Sequence, residues 1–296
     1  MLKERIIKRL NTPVSLHGEG PIWHYARGTA MWVDILSGTI IEYQIESSNY
    51  IVYACNHMVS AVFESFDNKN ELIATVKYGV GIYNLETQKF TLKTALNIDW
   101  SNMRCNDGAV DSTGDLWMST THINHNESFG ELYCITKNWS AIKVIPQVTI
   151  SNGPCWSGDN TKMFHTDSVT RQIKAYKFSE KQKIQDQGEI VISISDQLGF
   201  PDGMAMDKQG TLWIAIWGGA CVVGFDSTTG KQVDRISLPT PHVSSLAFVG
   251  EDLNKMLITT SQKDMDKESL EDYPWSGYSF IIDMEVPGLE TYSCKI

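Results

Sequence analysis

The pairs Glu19-Gly20, Asn152-Gly153 and Asp202-Gly203 each place an oxygen-bearing side chain directly before a glycine. Carboxylate and amide oxygens are hard ligands that suit Ca²⁺, Mg²⁺ or Mn²⁺ better than a structural zinc ion. Glycine lets the backbone turn sharply or approach a bound group closely. Asp-Gly and Asn-Gly are also common turn dipeptides, so each pair taken alone is compatible with a simple turn.

Two segments that contain such residues are near copies of each other. They read "NDGAVDSTGDLW" at 106–117 and "PDGMAMDKQGTLW" at 201–213. Both place a carboxylate beside a glycine, then a polar turn, then an apolar pair that ends in tryptophan. The turn and the apolar pair recur six times, at intervals of 41 to 49 residues, which is the length of one propeller blade. The second apolar residues of these pairs are Trp32, Ile73, Trp117, Phe164, Trp213 and Leu257.

Four short segments with strand-like alternation can be identified in almost every repeat. The sequence therefore predicts an all-β fold, a six-bladed β-propeller with four antiparallel strands per blade, as a single domain over residues 1–296. The last repeat lacks an outer strand, and residues 4–10 are expected to supply it, with the C-terminal "LETYSCKI" as the alternative. The innermost strands are predicted to contain "GPIWH", "SAVFES", "GAVDS", "GPCWS", "GMAMD" and "SLAFV".

The first strand of each propeller blade lines a central channel, so the residues at its leading end should meet there although they are distant in sequence. Three oxygen donors before glycine at equivalent positions of the repeat favour one cation site over three unrelated turns. The residues expected at this end of the channel are Glu19, Ser60, Asn106, Asp107, Asn152, Asp202, Ser244 and Ser245.

Composition excludes several classes of function. The net charge of −10, without any basic cluster, argues against a nucleic-acid partner. No apolar run is long enough for a membrane span, and the N-terminal "MLKERIIKRL" does not resemble a signal peptide. The six cysteines are irregularly spaced and form no CxxC pair, which indicates reduced thiols. We therefore expect a cytoplasmic protein; the sequence gives no information about its oligomeric state.

Several motifs together resemble the gluconolactonase/regucalcin/luciferin-regenerating enzyme family. They are "GEGPIW", R-x-NDG at 104–108, "SNGPCWS" and "PDGMAMDKQGTLWIA", and they occur in order between about residues 15 and 262. The resemblance implies one divalent cation at the mouth of the channel, bound by Glu19, Asn152 and Asp202. Ca²⁺ is the first candidate, with Zn²⁺, Mn²⁺ and Mg²⁺ as the others.

The same resemblance implies a lactonase that opens a sugar-acid lactone with a metal-activated water molecule. It places Arg104 and Asn106 at the substrate and makes Asp202 the catalytic base as well as a metal ligand. Such a cation polarises the lactone carbonyl, and a carboxylate beside it can take a proton from water. Asp107 is expected to be structural, with its carboxylate accepting hydrogen bonds from nearby backbone.

Two segments depart from the family pattern. "STTHINHN", Ser119–Asn126, is expected to form a loop that overhangs the site and alters substrate preference. It contains His122, a further candidate for substrate contact, and His125; as metal ligands these histidines lack partners. "DYPWSGY", near Tyr273–Tyr278, should lengthen the hairpin of the last blade and reach towards the rim.

Two other functions remain open at this point. One is a calcium-binding regulatory propeller without hydrolytic activity, and the other is a phosphoester or organophosphate hydrolase that uses the same metal site. A binding scaffold would not need a base and an arginine that converge with a cation on one small cavity, so the sequence favours a hydrolase.

Overall fold

The structure, a computed structural model, describes residues 5–124 and 128–296. Its sheets are antiparallel and stand in a ring, each with four principal strands, so the predicted six-bladed β-propeller is confirmed. The N-terminal strand β1 is Ile7–Arg9. Blade one contains β2 (Gly18–His24), β3 (Thr29–Asp34), β4 (Thr39–Tyr43) and β5 (Tyr50–Ala54). Blade two contains β6 (Val59–Glu64), β7 (Glu71–Val76), β8 (Gly79–Asn84) and β9 (Lys89–Ala95).

The remaining blades follow the same order from the channel outwards. Blade three contains β10 (Met103–Val110), β11 (Leu116–His122), β12 (Gly130–Thr136) and β13 (Ser140–Val148). Blade four contains β14 (Ser151–Trp156), β15 (Lys162–Asp167), β16 (Gln172–Ser179), the short β17 (Lys183–Ile184) and β18 (Glu189–Ser193). Blade five contains β19 (Phe200–Met206), β20 (Thr211–Trp217), β21 (Cys221–Asp226) and β22 (Gln232–Ser237). Blade six contains β23 (Val243–Val249), β24 (Lys255–Thr260) and β25 (Phe280–Asp283).

The innermost strands are β2, β6, β10, β14, β19 and β23, and each contacts the innermost strand of the next blade until the ring closes. All six predicted inner stretches lie on these strands, which confirms the repeat assignment. In four blades the predicted stretch extends beyond the strand into the following turn, as at Asp111 after β10 and Asp207 after β19.

The repeated segment that ends in tryptophan has a structural explanation in the turn after the inner strand. The Oδ1 atom of Asp111 accepts a hydrogen bond from the Thr113 amide at 2.9 Å, and its Oδ2 accepts one from Trp117 Nε1 at 2.9 Å. Asp207 is bonded in the same way, with Trp213 Nε1 donating at 3.0 Å. Each aspartate therefore holds the turn and satisfies a buried indole N–H, so the second carboxylate of each copy is structural.

Blade six is completed by the N-terminal strand, as predicted. β1 pairs antiparallel with β25, with Ile7 opposite Ile282 and Arg9 opposite Phe280. Leu10, which follows the strand, is almost fully buried in the core beside blade six. The pairing covers an edge that would otherwise expose unpaired backbone groups.

The C-terminal segment does not form the outer strand of blade six, which was the alternative role considered for it. It crosses the face of the propeller opposite the leading ends of the inner strands. The amide of Leu289 donates to the Met206 carbonyl at 2.9 Å, and that of Cys294 donates to the Glu64 carbonyl at 2.7 Å. This tail (residues 288–295) therefore spans the far end of the channel from blade five to blade two.

Two short helices lie in the connections between strands. A 3₁₀ helix, Ser168–Thr170, follows β15, and α1 (Lys267–Asp272) lies between β24 and β25. The insertion Tyr273–Tyr278 follows α1 within this connection, as predicted. No helix among the described residues is long and apolar enough to cross a membrane.

Candidate functional site

All six inner strands share an irregularity at their leading ends. Each carries one extra residue relative to its partner strand, and such a β-bulge changes the direction in which side chains point. The sequence predicted the site residues just before the strands, whereas the structure places them within the strands, at the bulges. The register shifts fall between Glu19 and Ile22, Val59 and Ala61, Cys105 and Gly108, Asn152 and Cys155, Pro201 and Met204, and Val243 and Ser245.

The glycines that follow the oxygen donors are required for two different reasons. Gly20 and Gly153 adopt left-handed backbone conformations, with φ of 53° and 77°, which residues with a Cβ rarely adopt. Gly203 has no such φ, but a Cβ there would collide with the side chain of Ser245 in the next blade. Glycine is thus required at all three bulges.

The bulges bring three carboxylates together at this end of the channel, which we call the channel mouth. Glu19 and Asp202 are each about 8% exposed. Burial, followed by the negative charge of Asp107, raises the pKa of Glu19 to about 8. Burial also raises the pKa of Asp202 well above its usual value, and the charges of Glu19 and Asp107 add to this effect. The three groups therefore interact across blades one, three and five.

Asp107 connects blades three and four through its carboxylate. Its Oδ1 accepts a hydrogen bond from the Gly108 amide at 2.7 Å, and its Oδ2 accepts one from the Gly153 amide at 2.9 Å. The expected bonding to nearby backbone is therefore confirmed. Burial nevertheless raises the pKa of Asp107 to about 6, with these two bonds opposing the shift.

Arg104 brings a positive charge to the same group. The guanidinium is buried, and its Nη1 donates to Asn106 Oδ1 at 2.6 Å and to the Cys105 carbonyl at 3.0 Å. Burial lowers its pKa, while the charges of Glu19 and Asp202 act in the opposite direction. One guanidinium cannot balance the two buried carboxylates and the half-buried carboxylate of Asp107, so the group fits a bound divalent cation both in charge and in its oxygen donors.

A chain of side-chain hydrogen bonds fixes the orientation of Asn152. The Nδ2 of Asn106 donates to Asn152 Oδ1 at 3.0 Å, and the Nδ2 of Asn152 donates to Ser168 Oγ at 2.9 Å. Because an amide oxygen has two lone pairs, Asn152 Oδ1 retains one for a cation. The structure thus joins Asn152 to Arg104 and Asn106, two other residues singled out from the sequence, and Ser168 is a member of the chain that the sequence did not indicate.

His122 lies apart from this chain. It is the last residue of β11, its Nδ1 accepts a hydrogen bond from the Asn124 amide at 3.2 Å, and its ring meets that of Phe129 edge-on. The prediction of a loop over Ser119–Asn126 was wrong for residues 119–122, because these residues continue β11 and pair with β10. His125 lies outside the described residues.

An aromatic wall at the channel mouth was missed by sequence reasoning. The ring of Trp217 stacks on that of His242 at 4.2 Å with an interplanar angle of 10°, and the ring of His17 meets it edge-on at 5.7 Å. Trp217 also pairs in the sheet with Phe200. His17 and Phe200 stand two residues before Glu19 and Asp202, so strand periodicity was the one signal that could have indicated them.

A second acidic cluster lies near the opposite face. Asp111, Asp115 and Cys134 are the one described group of three potential metal-binding His, Cys, Asp or Glu side chains whose donor atoms all lie within 4.8 Å of one another. The Nζ of Lys183 already contacts Asp111 at 2.7 Å and Asp115 at 2.6 Å. Burial raises the pKa of Cys134 to about 12, which keeps the thiol protonated. We therefore assign this cluster as an ion-pair network.

Comparison with known proteins shows the family of the chain and similar folds. Residues 17–262 match the pattern of the family described as SMP-30/Gluconolactonase/LRE-like region. A Bacillus subtilis (strain 168) protein, provisionally designated sugar lactone lactonase YvrE, is 30% identical over 92% of this chain and 93% of its own. Regucalcin of Gallus gallus is 27% identical over 93% of both chains. The crystal structure of a calcium-binding protein, regucalcin from Agrobacterium tumefaciens, superposes with a TM-score of 0.93 at 26% identity, covering 99% of this chain and 98% of that one.

Proposed function

Because the chain belongs to the SMP-30/gluconolactonase/LRE-like family, we propose that it is a lactonase that depends on a divalent cation. The observation that supports this proposal is the group of three interacting carboxylates, Glu19, Asp107 and Asp202, beside a single guanidinium, that of Arg104. The six cysteines are free, which fits a reducing, cytoplasmic location.

The proposed ligands of the cation are Glu19, Asn152 and Asp202, with Ca²⁺ as the first candidate. When bound, the cation supplies polarisation of the ester carbonyl and charge stabilisation of the oxyanion. The hydrogen bonds of Asn152 to Asn106 and Ser168 hold its oxygen in a fixed direction before any ligand arrives. Asp107 adds negative charge to the group while its carboxylate stays hydrogen-bonded to the backbone amides of Gly108 and Gly153.

Asp202 is the proposed base. A carboxylate whose pKa is raised by burial and by neighbouring negative charges holds a proton more strongly than an exposed aspartate does. It is therefore a stronger base than an exposed aspartate and is suited to take the proton from the attacking water molecule. In the substrate complex, we assign the free N–H groups of the Arg104 guanidinium to the ring oxygens or the developing carboxylate of the lactone.

The test is a pH-indicator assay with a panel of aldonolactones on chelated protein, restoring Ca²⁺, Mn²⁺, Zn²⁺ or Mg²⁺ in turn. We expect hydrolysis that is lost on chelation and recovered with Ca²⁺. Asp202→Asn should retain some cation binding and lose hydrolysis, because the amide cannot accept the proton. The matched control is Asp264→Asn, which changes an exposed carboxylate beside Lys263 and should leave the rate unchanged.

A second candidate is a calcium-binding propeller without hydrolytic activity, favoured by the likeness to the calcium-binding regucalcin structure. Calcium binding by the wild type, with no lactone opened in the presence of any of the four ions, would establish it in place of the lactonase. Hydrolysis of organophosphates but not lactones would instead identify a phosphoesterase. If Asp202→Asn hydrolyses lactones at the wild-type rate, another group activates the water.

A further inference from the structure

The central channel widens below the carboxylates into a cavity of about 370 Å³, which we call the chamber. All six inner strands line it. Gly20, Asp107 and Ser245 lie at its upper end, beneath the channel mouth, and residues 289–292 of the tail lie across its lower end. The chamber is therefore separated from the proposed substrate position by the layer of side chains that would hold the cation.

The wall of the chamber is apolar at its middle. Ile22, Ala109, Cys155 and Ala205 belong to four different inner strands at the centre of the molecule. Residues at such positions would be fully buried in a filled core, yet all four are only half-buried, because they face the chamber. Val62, Met204 and Leu246 complete this wall. Among the described residues that line the chamber, the charged ones lie only at its two ends. They are Asp107 at the upper end, and Glu64, Lys208 and Glu290 at the lower end.

The tail, which lies across the lower end of the chamber, is held by backbone hydrogen bonds at its two ends and by fewer bonds between them. Backbone hydrogen bonds join the tail to Met206 on one side and to Glu64 on the other. Between these points, the bonds recorded for the described residues involve side chains: Thr291 donates its amide to Tyr25 Oη at 3.0 Å, and Asn160 Nδ2 donates to Tyr292 Oη at 2.8 Å. The middle section of the tail is therefore held less firmly than its two ends, and it is where we expect a small molecule to enter the chamber.

We propose that the chamber is a binding site for a small, uncharged, mainly apolar molecule about the size of indole. An apolar cavity of about 150 Å³ is enough to bind benzene, and this one is more than twice as large. The apolar wall offers a charged ligand no counter-ion at mid-height, so an ionised molecule of the same shape loses its hydration without compensation. The site does not depend on the proposed lactonase activity.

The first test is calorimetric titration of the full chain with indole and with its charged analogue indole-3-carboxylate. We expect indole to bind and the carboxylate not to bind. Ala205→Leu, which extends a side chain into the chamber, should weaken indole binding by about tenfold or more. Ala141→Leu is the matched control, because Ala141 is exposed on the outer strand β13. Equal binding of both compounds, or of indole to both variants, would overturn the proposal.

A second test needs no substitution and so does not depend on the folding of a variant. Cys155 is the one half-buried cysteine of the six, and it faces the chamber. Uncharged methyl methanethiosulfonate should modify Cys155 faster than its trimethylammonioethyl analogue does, after each rate is normalised to that with a free small thiol. Indole should slow the uncharged reagent. If the two normalised rates are equal, or if indole gives no protection, the chamber is open to ions and the proposal fails.

Discussion

Ser168 supports the candidate cation site without being a candidate ligand, and Ser168→Ala is the most direct test of that support. The Ser168 hydroxyl accepts the Nδ2–H of Asn152 at 2.9 Å, and both residues are at least 96% buried. Alanine leaves this buried amide N–H without its acceptor, at a cost of about 1–3 kcal/mol. Asn152 can avoid that cost only by rotating, which turns its Oδ1 away from the other proposed ligands.

Loss of a hydrogen-bond partner that orients a metal ligand typically weakens metal binding by about 10–100-fold. We expect a loss of this size in Ca²⁺ affinity for Ser168→Ala, measured by calorimetric titration of chelated protein. The matched control is Ser276→Ala, which removes a buried hydroxyl bonded to Thr240 Oγ1 at 2.7 Å, in the connection between β24 and β25. If both variants bind Ca²⁺ like the wild type while their melting temperatures fall equally, Ser168 is merely structural and Asn152 is not an oriented ligand.

Three further outcomes are expected. Arg104→Met should lower kcat/KM by about ten- to a hundredfold. The same substitution should strengthen Ca²⁺ binding, because it removes a positive charge that interacts with Glu19 and Asp202. Weaker Ca²⁺ binding in a titration would contradict the predicted gain in affinity. The chelated protein should lose on the order of 5 kcal/mol of stability as the pH rises from below 4.5 to above about 8, because folded Glu19 keeps its proton up to about pH 8 whereas the unfolded chain releases it near 4.5. Calorimetry should show this slope flattened in Glu19→Gln, and an unchanged slope would contradict the assignment. Deleting residues 1–10 removes β1 and buried Leu10 and should lower the melting temperature by about 5 °C or more. Deletion of residues 1–4 serves as the control. Equal melting temperatures of the two deletion variants would contradict the closure of blade six by β1.

The blades could be predicted from the sequence because their signals are local. Each hairpin turn is followed by an apolar pair, as at Trp117 and Trp213, and this order depends only on neighbouring residues. The closing strand followed from the same reasoning, since blade six lacked an outer strand and residues 4–10 alternated. The bulges could not be predicted, because a bulge is a property of the register between two strands and leaves no pattern in either one alone.

The residues that surround and orient the candidate site could not be identified from the sequence for a related reason. Ser168 meets Asn152 across a turn whose residues show no distinctive pattern, and Trp217 reaches the channel mouth from the second strand of blade five. Both contacts depend on three-dimensional placement. The backbone bonding of Asp107 was foreseen, but its electrostatic effect on Glu19 and Asp202 follows from burial, which the sequence does not reveal.

All six inner strands carry a bulge at the leading end, yet only some of the bulges carry charge. In blades two and six the extra residue is followed or occupied by serine, and the hydroxyls of Ser60 and Ser244 bond to Thr75 and Thr259 of the neighbouring strands. Ser60 fills its bulge with a hydrogen bond made within its own sheet, whereas Ser244 also donates its hydroxyl to the Gly18 carbonyl of blade one at 2.6 Å. Blades one, three and five instead present carboxylates, and blade four presents the amide of Asn152. A ring of repeated bulges thus carries an asymmetric set of side chains, and the negative charge concentrates where Arg104 enters from blade three. Under the proposed function, this asymmetry brings the cation ligands and Arg104 to one small substrate.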